Sequence, residues 1–204
     1  MPELLLSTKN QHKILEIQEV FRSVISDSSI LSLDSYSQNA PDIVESLDTI
    51  EGNAYLKSIE IFNFAQIPTL SDDSGLEIDA LDGKPGVFSS RYSGENASDS
   101  SNRKRVLEEL KNVPSEKRTA RFRTILCYTD NLRTIFFEGV CEGTITNVEF
   151  GERGFGYDQI FIPSGSSKTF GQMDMLEKNE YSHRKKALSK FLEFYKTINE
   201  HHNG

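Results

Sequence analysis

The 204-residue chain has no tryptophan, only two cysteines and no surplus of basic residues. Each scarcity excludes something. Lys and Arg number 23 against 31 Asp and Glu, a net charge of −8. Bulk positive charge of the kind that grips DNA or RNA backbones is missing, so no nucleic-acid partner is expected. Only a small local set of lysines is left to meet phosphate. Cys127 and Cys141 are too few for a disulfide framework or a zinc motif. Both fall in strand-like segments, which predicts reduced core thiols. No run approaches about 18 apolar residues, so no helix is expected to cross a membrane. The start of the sequence lacks the basic region and long apolar run of a secretory leader. A cytoplasmic, globular protein is the expectation. At about 150 residues per domain the length allows one large domain or two small ones. With 13 Phe, 7 Tyr and 36% hydrophobic residues, the chain can bury a sizeable core.

Periodicity then gives the elements. Residues 3–7 read as a buried strand. Residues 13–25 place Ile14, Ile17, Phe21, Val24 and Ile25 at helical spacing. Residues 30–33 suggest a second strand. A stripe of Tyr55, Ile59 and Phe62 suggests a helix over 53–66, stopped by Pro68. Residues 69–71 form a short strand running into Asp72-Asp73-Ser74-Gly75, and 76–80 another. A structured loop over 83–94 precedes a helix over 100–111 carrying Val106, Leu107 and Leu110. Ala120, Phe122, Thr124 and Leu126 alternate with polar residues, and 132–141 offer an antiparallel partner across Asp130-Asn131. Ser182 can cap a last helix with Ala187, Phe191, Phe194 or Tyr195, and Ile198 on one face. Residues 201–204 read as a frayed tail. The mixture of β-α-β units and a hairpin predicts an α/β or α+β class with a mixed sheet.

Four segments can carry chemistry. Thr8-Lys9-Asn10-Gln11-His12-Lys13 lies between a strand and a helix. Unpaired N–H groups at a helix start, with hydroxyl, amide and ammonium groups, suit a polyphosphate. A plain polar βα loop has the same composition, and the P-loop glycine spacing is absent. Asp72-Asp73-Ser74-Gly75 puts two carboxylates where they suit Mg²⁺ or the orientation of a water, although acidic turns look alike. Neighbours on a strand point to opposite faces, so one of the two is expected to face a site. Asp42 and Glu45 supply further carboxylates upstream. Gly154-Phe155-Gly156-Tyr157-Asp158 can present an aromatic ring to a purine, or bury a core Phe beside a glycine turn. Lys178 and Ser182-His183-Arg184 bring cations to a helix start, against the macrodipole. Arg there can donate a forked pair of hydrogen bonds. Phosphate cradle, metal carboxylates, stacking ring and base-edge donors together describe a nucleoside triphosphate pyrophosphohydrolase. A haloacid-dehalogenase-type phosphatase would need a second Asp two residues after its nucleophile; positions 74 and 75 are Ser and Gly.

These segments, with Pro85-Gly86-Val87-Phe88-Ser89-Ser90-Arg91-Tyr92-Ser93-Gly94, occur in the order of a known family. The chain resembles the inosine/xanthosine triphosphate pyrophosphatases, the Ham1-like non-canonical purine nucleotide hydrolases. The resemblance spans nearly the whole sequence. It implies a single domain of elongated mixed sheet with flanking helices, two lobes around a cleft, a homodimer and dependence on Mg²⁺. It implies hydrolysis of inosine, deoxyinosine and xanthosine triphosphates to monophosphate and pyrophosphate. By the same resemblance, Thr8, Lys9, Asn10, Gln11, His12, Lys13 and Lys57 meet the triphosphate and Asp73 is catalytic. Glu45 with Asp73 holds metal, and Ser74 touches substrate. Phe155, Gly156, Tyr157, Asp158, Lys178, His183 and Arg184 form the nucleoside side. Two positions depart from the family pattern: His12 stands where Gly is usual, and Gly52 where a Glu usually precedes the Asn. A catalytically inert nucleotide-binding protein on the same fold is the alternative those departures raise.

Overall fold

The computed structural model describes residues 3–24 and 30–200. Ile25 and the tail 201–204 lie outside the described residues. Seven strands form one mixed sheet in the order β2-β1-β3-β5-β6-β7, with β4 pairing β3. β1 (Leu4–Ser7) runs parallel to β2 (Ile30–Ser32) and to β3 (Thr69–Ile78), with Leu4 opposite Ile30 and Leu5 opposite Thr69. β4 (Pro85–Gly86) pairs antiparallel with the far end of β3. β5 (Thr119–Thr129) and β6 (Thr134–Ile145) meet at a turn in which the Asp130 N–H donates to the Arg133 carbonyl. β7 (Phe161–Pro163) lies antiparallel to β6. The described helices are α1 (Gln11–Val24), α2 (Leu33–Tyr36), α3 (Ile50–Ala65), α4 (Asp99–Glu109), α5 (Met175–Tyr181) and α6 (His183–Glu200).

Two elements depart from expectation instructively. Asp72-Asp73-Ser74-Gly75 does not end a strand; it lies in the middle of the ten-residue β3. Residues 76–78 extend the same strand because their edge is satisfied by β4, with Leu76 opposite Gly86. On α3 the predicted apolar stripe is not the buried one. Tyr55 is exposed, and the inner face is Ile50, Asn53, Ala54, Lys57, Ser58 and Ile61. Asn53, Lys57 and Ser58 turn inward because each finds a partner there, whereas an apolar face would offer the site nothing polar. α5 carried no sequence signal. α1 begins at Gln11, two residues before its predicted start.

The chain divides into two compact units. The first, Met1–Asp73, Thr124–Gly139 and Arg184–Gly204, has a core of β1, α1 and α6 residues. Phe191 is fully buried there, with ring centroids of Phe137 at 5.5 Å, Tyr195 at 5.2 Å and Phe21 at 5.9 Å. Tyr195 thus takes the inner position on α6, and Phe194 packs at the margin. The second unit, Ser74–Arg123 and Val140–His183, is centred on Phe122, Phe161 and Phe170. Val106 of α4 and Leu110 at its C-cap complete it.

Both cysteines are buried and free, as the sequence suggested. Burial pushes the Cys127 thiol up to about 11. At neutral pH a thiolate is the reactive species. Ellman's reagent added to the folded protein at pH 8 should therefore find almost no thiol, and two per chain after denaturation. Rapid labelling without denaturant would mean that the second half of β5 opens readily.

Candidate active site

The first unit gathers charge around the middle of β3. α3 is laid on the sheet by small hydroxyls: Ser7 Oγ donates to the Lys57 carbonyl at 2.8 Å, and Ser58 Oγ to Thr129 Oγ1 at 2.7 Å. That seat aims Lys57 at two carboxylates. Its Nζ lies 2.7 Å from Glu45 Oε1 and 2.9 Å from Asp73 Oδ1, and it donates to the Asp72 carbonyl at 2.7 Å. Glu45 is held within reach by Asn53, whose side-chain amide accepts from the Leu47 N–H at 2.9 Å and donates to its carbonyl at 3.1 Å. Burial alone would lower the Lys57 pKa, but Asp73 and Glu45 together raise it above the ordinary lysine value. Burial pushes the Asp73 carboxyl above its usual range, against the pull of Lys57 and Lys13 and with the repulsion of Glu45. Two carboxylates against one ammonium leave this group with one negative charge.

Asp72, its neighbour on β3, faces a different set. Its Oδ1 pairs with Lys13 Nζ, and its Oδ2 accepts from Arg184 Nε at 2.9 Å. Arg184 also binds Glu16 through Nη1. Burial would raise the Asp72 pKa, but Arg184 and Lys13 hold it far below the carboxylate range. Adjacent residues thus take separate partners, as strand geometry requires. Asp72 is a counter-ion; Asp73 is the carboxylate that keeps a raised proton affinity.

The loop before α1 shows a second division of labour. Asn10 caps the helix: its Oδ1 accepts from the N–H groups of His12 at 3.0 Å and Lys13 at 3.2 Å. Those two donors are therefore already satisfied. Thr8 Oγ1 accepts from the Asn10 N–H at 3.2 Å, and Lys9 pairs with exposed Asp42 at 3.1 Å. Gln11 and His12 are exposed on the first turn. The Gly52 departure has a local cause. A Cβ there would come within 2.8 Å of Thr49 Oγ1, the group that caps α3 by accepting the Gly52 N–H.

The second unit holds the aromatic group. Gly154 and Gly156 both have positive φ, 77° and 59°, and flank the half-buried Phe155. At Gly154 no side chain fits, since a Cβ would lie 2.1 Å from Asp158 Oδ2. That oxygen accepts from the Phe155 N–H at 3.0 Å and pairs with Lys178 Nζ at 2.7 Å. The Lys178 ammonium also lies 4.9 Å from the Phe155 ring centroid. Tyr157 is buried, with its hydroxyl on the Ser89 carbonyl at 2.7 Å. His183 is buried and stacks on Phe122 at 4.8 Å and 9°. Ser74 begins this unit, next along β3 from Asp73.

The structure thus sorts the sequence candidates. Lys13, Lys57, Glu45, Asp73 and Arg184 come together in the first unit. Phe155, Gly156, Tyr157, Asp158, Lys178 and His183 come together in the second. Arg184, expected among the base-reading groups, is buried and pairs with Asp72 and Glu16. Glu16 had no sequence signal beyond its place on a helix, and Asn53 only its place in the family pattern. The donor set fits a divalent cation: Glu45 and Asp73 are two hard carboxylates of the kind such ions take as ligands. Among the described residues no group of three or more His, Cys, Asp or Glu could hold a metal by itself.

Comparison with known proteins decides the family. The Ham1 family model matches residues 4–194. The chain belongs to the Ham1 family. A protein named dITP/XTP pyrophosphatase from Oceanobacillus iheyensis is 41% identical over 199 residues, covering 97% of this chain and 100% of its own. One of the same name from Shouchella clausii is 43% identical over 191 residues, covering 93% and 94%. Among solved structures, a HAM1 protein from Coxiella burnetii superposes with a TM-score of 0.87 at 35% identity, covering 97% of this chain and 100% of that one. The Ham1 protein of Staphylococcus aureus gives 0.85 at 33%, covering 96% and 99%.

In this Ham1 protein Arg184 neutralises two buried carboxylates. Removing it should cost about 3–5 kcal/mol, because Glu16 would lose the guanidinium it pairs with and Asp72 one of its two cations. Arg184→Met should show that loss in urea unfolding at pH 7. The Asp72 contribution is fully present above about pH 4, its unfolded value, and disappears as the pH falls toward its lower folded value. The gap between wild type and variant should therefore narrow on acidification. A loss under 1 kcal/mol at pH 7 would deny the pairing its structural weight.

Proposed function

We propose that this chain hydrolyses non-canonical purine nucleoside triphosphates, of the inosine, deoxyinosine and xanthosine type, to the nucleoside monophosphate and pyrophosphate. The observation that carries the reading is the Lys57 ammonium held between Glu45 and Asp73 beside Lys13, in a chain aligned end to end with dITP/XTP pyrophosphatases. The same reading takes Mg²⁺ as the divalent ion, one catalytic domain composed of both units, a homodimeric assembly and a cytoplasmic location. Two buried free thiols suit a reducing compartment.

Attack of water on the α-phosphorus breaks its bond to the bridging oxygen, and that oxygen departs with pyrophosphate. The water proton goes to the Asp73 carboxylate, whose raised proton affinity suits a general base. Lys13 and Lys57 offset charge growing on the leaving group. Glu45 and Asp73 would hold Mg²⁺, which supplies charge neutralisation for a triphosphate carrying about four negative charges. In the second unit Phe155 offers a face for the purine. Lys178, His183 and backbone N–H groups supply donors for a 6-carbonyl. Adenine presents an amino group at that position, and unpaired buried donors cost about 1–3 kcal/mol each, so ATP is disfavoured. Arg184 serves the phosphate side, since it shares Asp72 with Lys13.

Pyrophosphate release from inosine triphosphate with Mg²⁺ tests the activity directly. Wild-type protein should release pyrophosphate and not inorganic phosphate, and chelation should abolish the reaction. Asp73→Asn should lower kcat by ~10²–10⁴, the span of a lost general base. Binding without turnover in the wild type would favour an inert nucleotide-binding protein.

Lys13→Ala addresses the phosphate end. The substitution should weaken triphosphate binding more than monophosphate product binding, measured side by side by calorimetry. Equal losses would move Lys13 away from the terminal phosphates.

A further inference from the structure

The loop that carries Phe155 is gripped from outside by a helix that no family signature touches. Asp99 Oδ2 accepts from the Gly156 N–H at 2.7 Å. Arg103 Nη1 donates to the Gly156 carbonyl at 2.8 Å. The two side chains are four residues apart on α4, so they share one face, and they reach the N–H and the carbonyl of one residue, in the two peptide units that flank its Cα. Within the loop, the Phe155 N–H donates to Asp158 Oδ2 and the Asp158 N–H to the Phe155 carbonyl at 3.1 Å. All four backbone polar groups of residues 155 and 156 therefore have defined partners. Two are internal to the loop and two come from α4.

Stability alone does not account for Arg103. The residue is 9% exposed, and its Nη2 meets Glu149 at 3.1 Å. Its Nε is buried without a hydrogen-bond partner among the described residues. A buried, incompletely satisfied guanidinium costs free energy that an apolar side chain would not. Asp99 in the first turn of α4 favours the helix dipole wherever its carboxylate points, but the dipole does not explain its bond to Gly156. The common target of both side chains is a glycine at φ 59°, the left-handed conformation that fixes where the preceding ring stands.

We propose that Asp99 and Arg103 are positioning residues for substrate binding: they clamp the backbone on both sides of Gly156 and thereby hold the Phe155 ring in the attitude that stacks on the purine. This rests on the reading of Phe155 as the base platform. The clamp acts before chemistry, so it governs KM and leaves the reacting phosphate untouched.

The test uses the full-length enzyme with Arg103→Met, Asp99→Ala, Asp99→Asn and Phe155→Ala. Hydrogen exchange of the 154–158 segment reports the clamp without any substrate. Steady-state kinetics with inosine triphosphate and Mg²⁺ report its consequence. Arg103→Met and Asp99→Ala should speed exchange of the Gly156 amide about ten-fold or more and raise KM about ten-fold, with kcat within about two-fold. Asp99→Asn keeps an acceptor oxygen and should behave as wild type. In a Phe155→Ala background, Arg103→Met should raise KM no further. Asp99 is exposed, so its variants keep the test open if Arg103→Met does not fold. If Phe155→Ala raises KM and the Asp99→Ala and Arg103→Met variants do not, the clamp is overturned and the base platform stands. If Phe155→Ala itself leaves KM unchanged, the platform reading fails and takes the proposal with it.

Discussion

Asp72 is a carboxylate with no access to water, in the centre of the strand on which the site is built. A charge so placed must be answered inside the protein or it neutralises itself by taking a proton. Here it is answered twice, by Arg184 from α6 and Lys13 from α1. Arg184 in turn answers Glu16. The four residues alternate in sign and sum to zero. Their positions depend on one another, so α1, β3 and α6 are tied by charge as well as by the apolar core around Phe191. Lys13, the one member with appreciable exposure, is held at the start of α1 by groups that never leave the interior.

The next residue on β3 lives under the opposite condition. Asp73 and Glu45 share a single ammonium, and burial, with the repulsion of Glu45 added to it, raises the Asp73 proton affinity. A neutral array beside an array one charge short of neutrality is a sensible division. The first fixes geometry and binds nothing more. The second has a deficit that a cation can fill and a carboxylate that can accept a proton. Strand alternation is what allows the two to coexist one residue apart.

Sequence periodicity read the elements where packing alone decides the pattern. β1, α4, α6 and the hairpin of β5 and β6 follow from apolar spacing and from the Asp130 turn. It misread α3 for a definite reason. The inner face of that helix holds Asn53, Lys57 and Ser58, which turn inward to grip the 45–47 segment, the carboxylates and β5. Apolar periodicity ranks such residues as outer, so the stripe fell on Tyr55 and Phe62. The strand through Asp72 and Gly75 was cut short for a related reason: acidic residues beside glycine have turn chemistry locally, and only the long-range pairing of Leu76 with β4 overrides it. Asp73, Lys57 and Phe155 were legible as motif residues. Arg184 was legible as a motif residue, but its pairing with Asp72 was not, because a cation at a helix start carries no mark of a carboxylate 112 residues away.

Both units solve one problem, the placement of a half-buried side chain, with buried polar partners. In the first unit, Lys13 is held by Asp72 and Arg184. In the second, the half-buried Phe155 is held through its backbone by Asp158, and Asp158 by Lys178. An apolar interior would be cheaper by the ordinary accounting of desolvation. It would not fix direction, since hydrophobic contact is indifferent to rotation and hydrogen bonds are not. A ring between two left-handed glycines has little intrinsic orientation of its own. The direction must come from the partners of its neighbouring peptides, which is why Asp158 and the α4 side chains carry charge where bulk alone would fill the space.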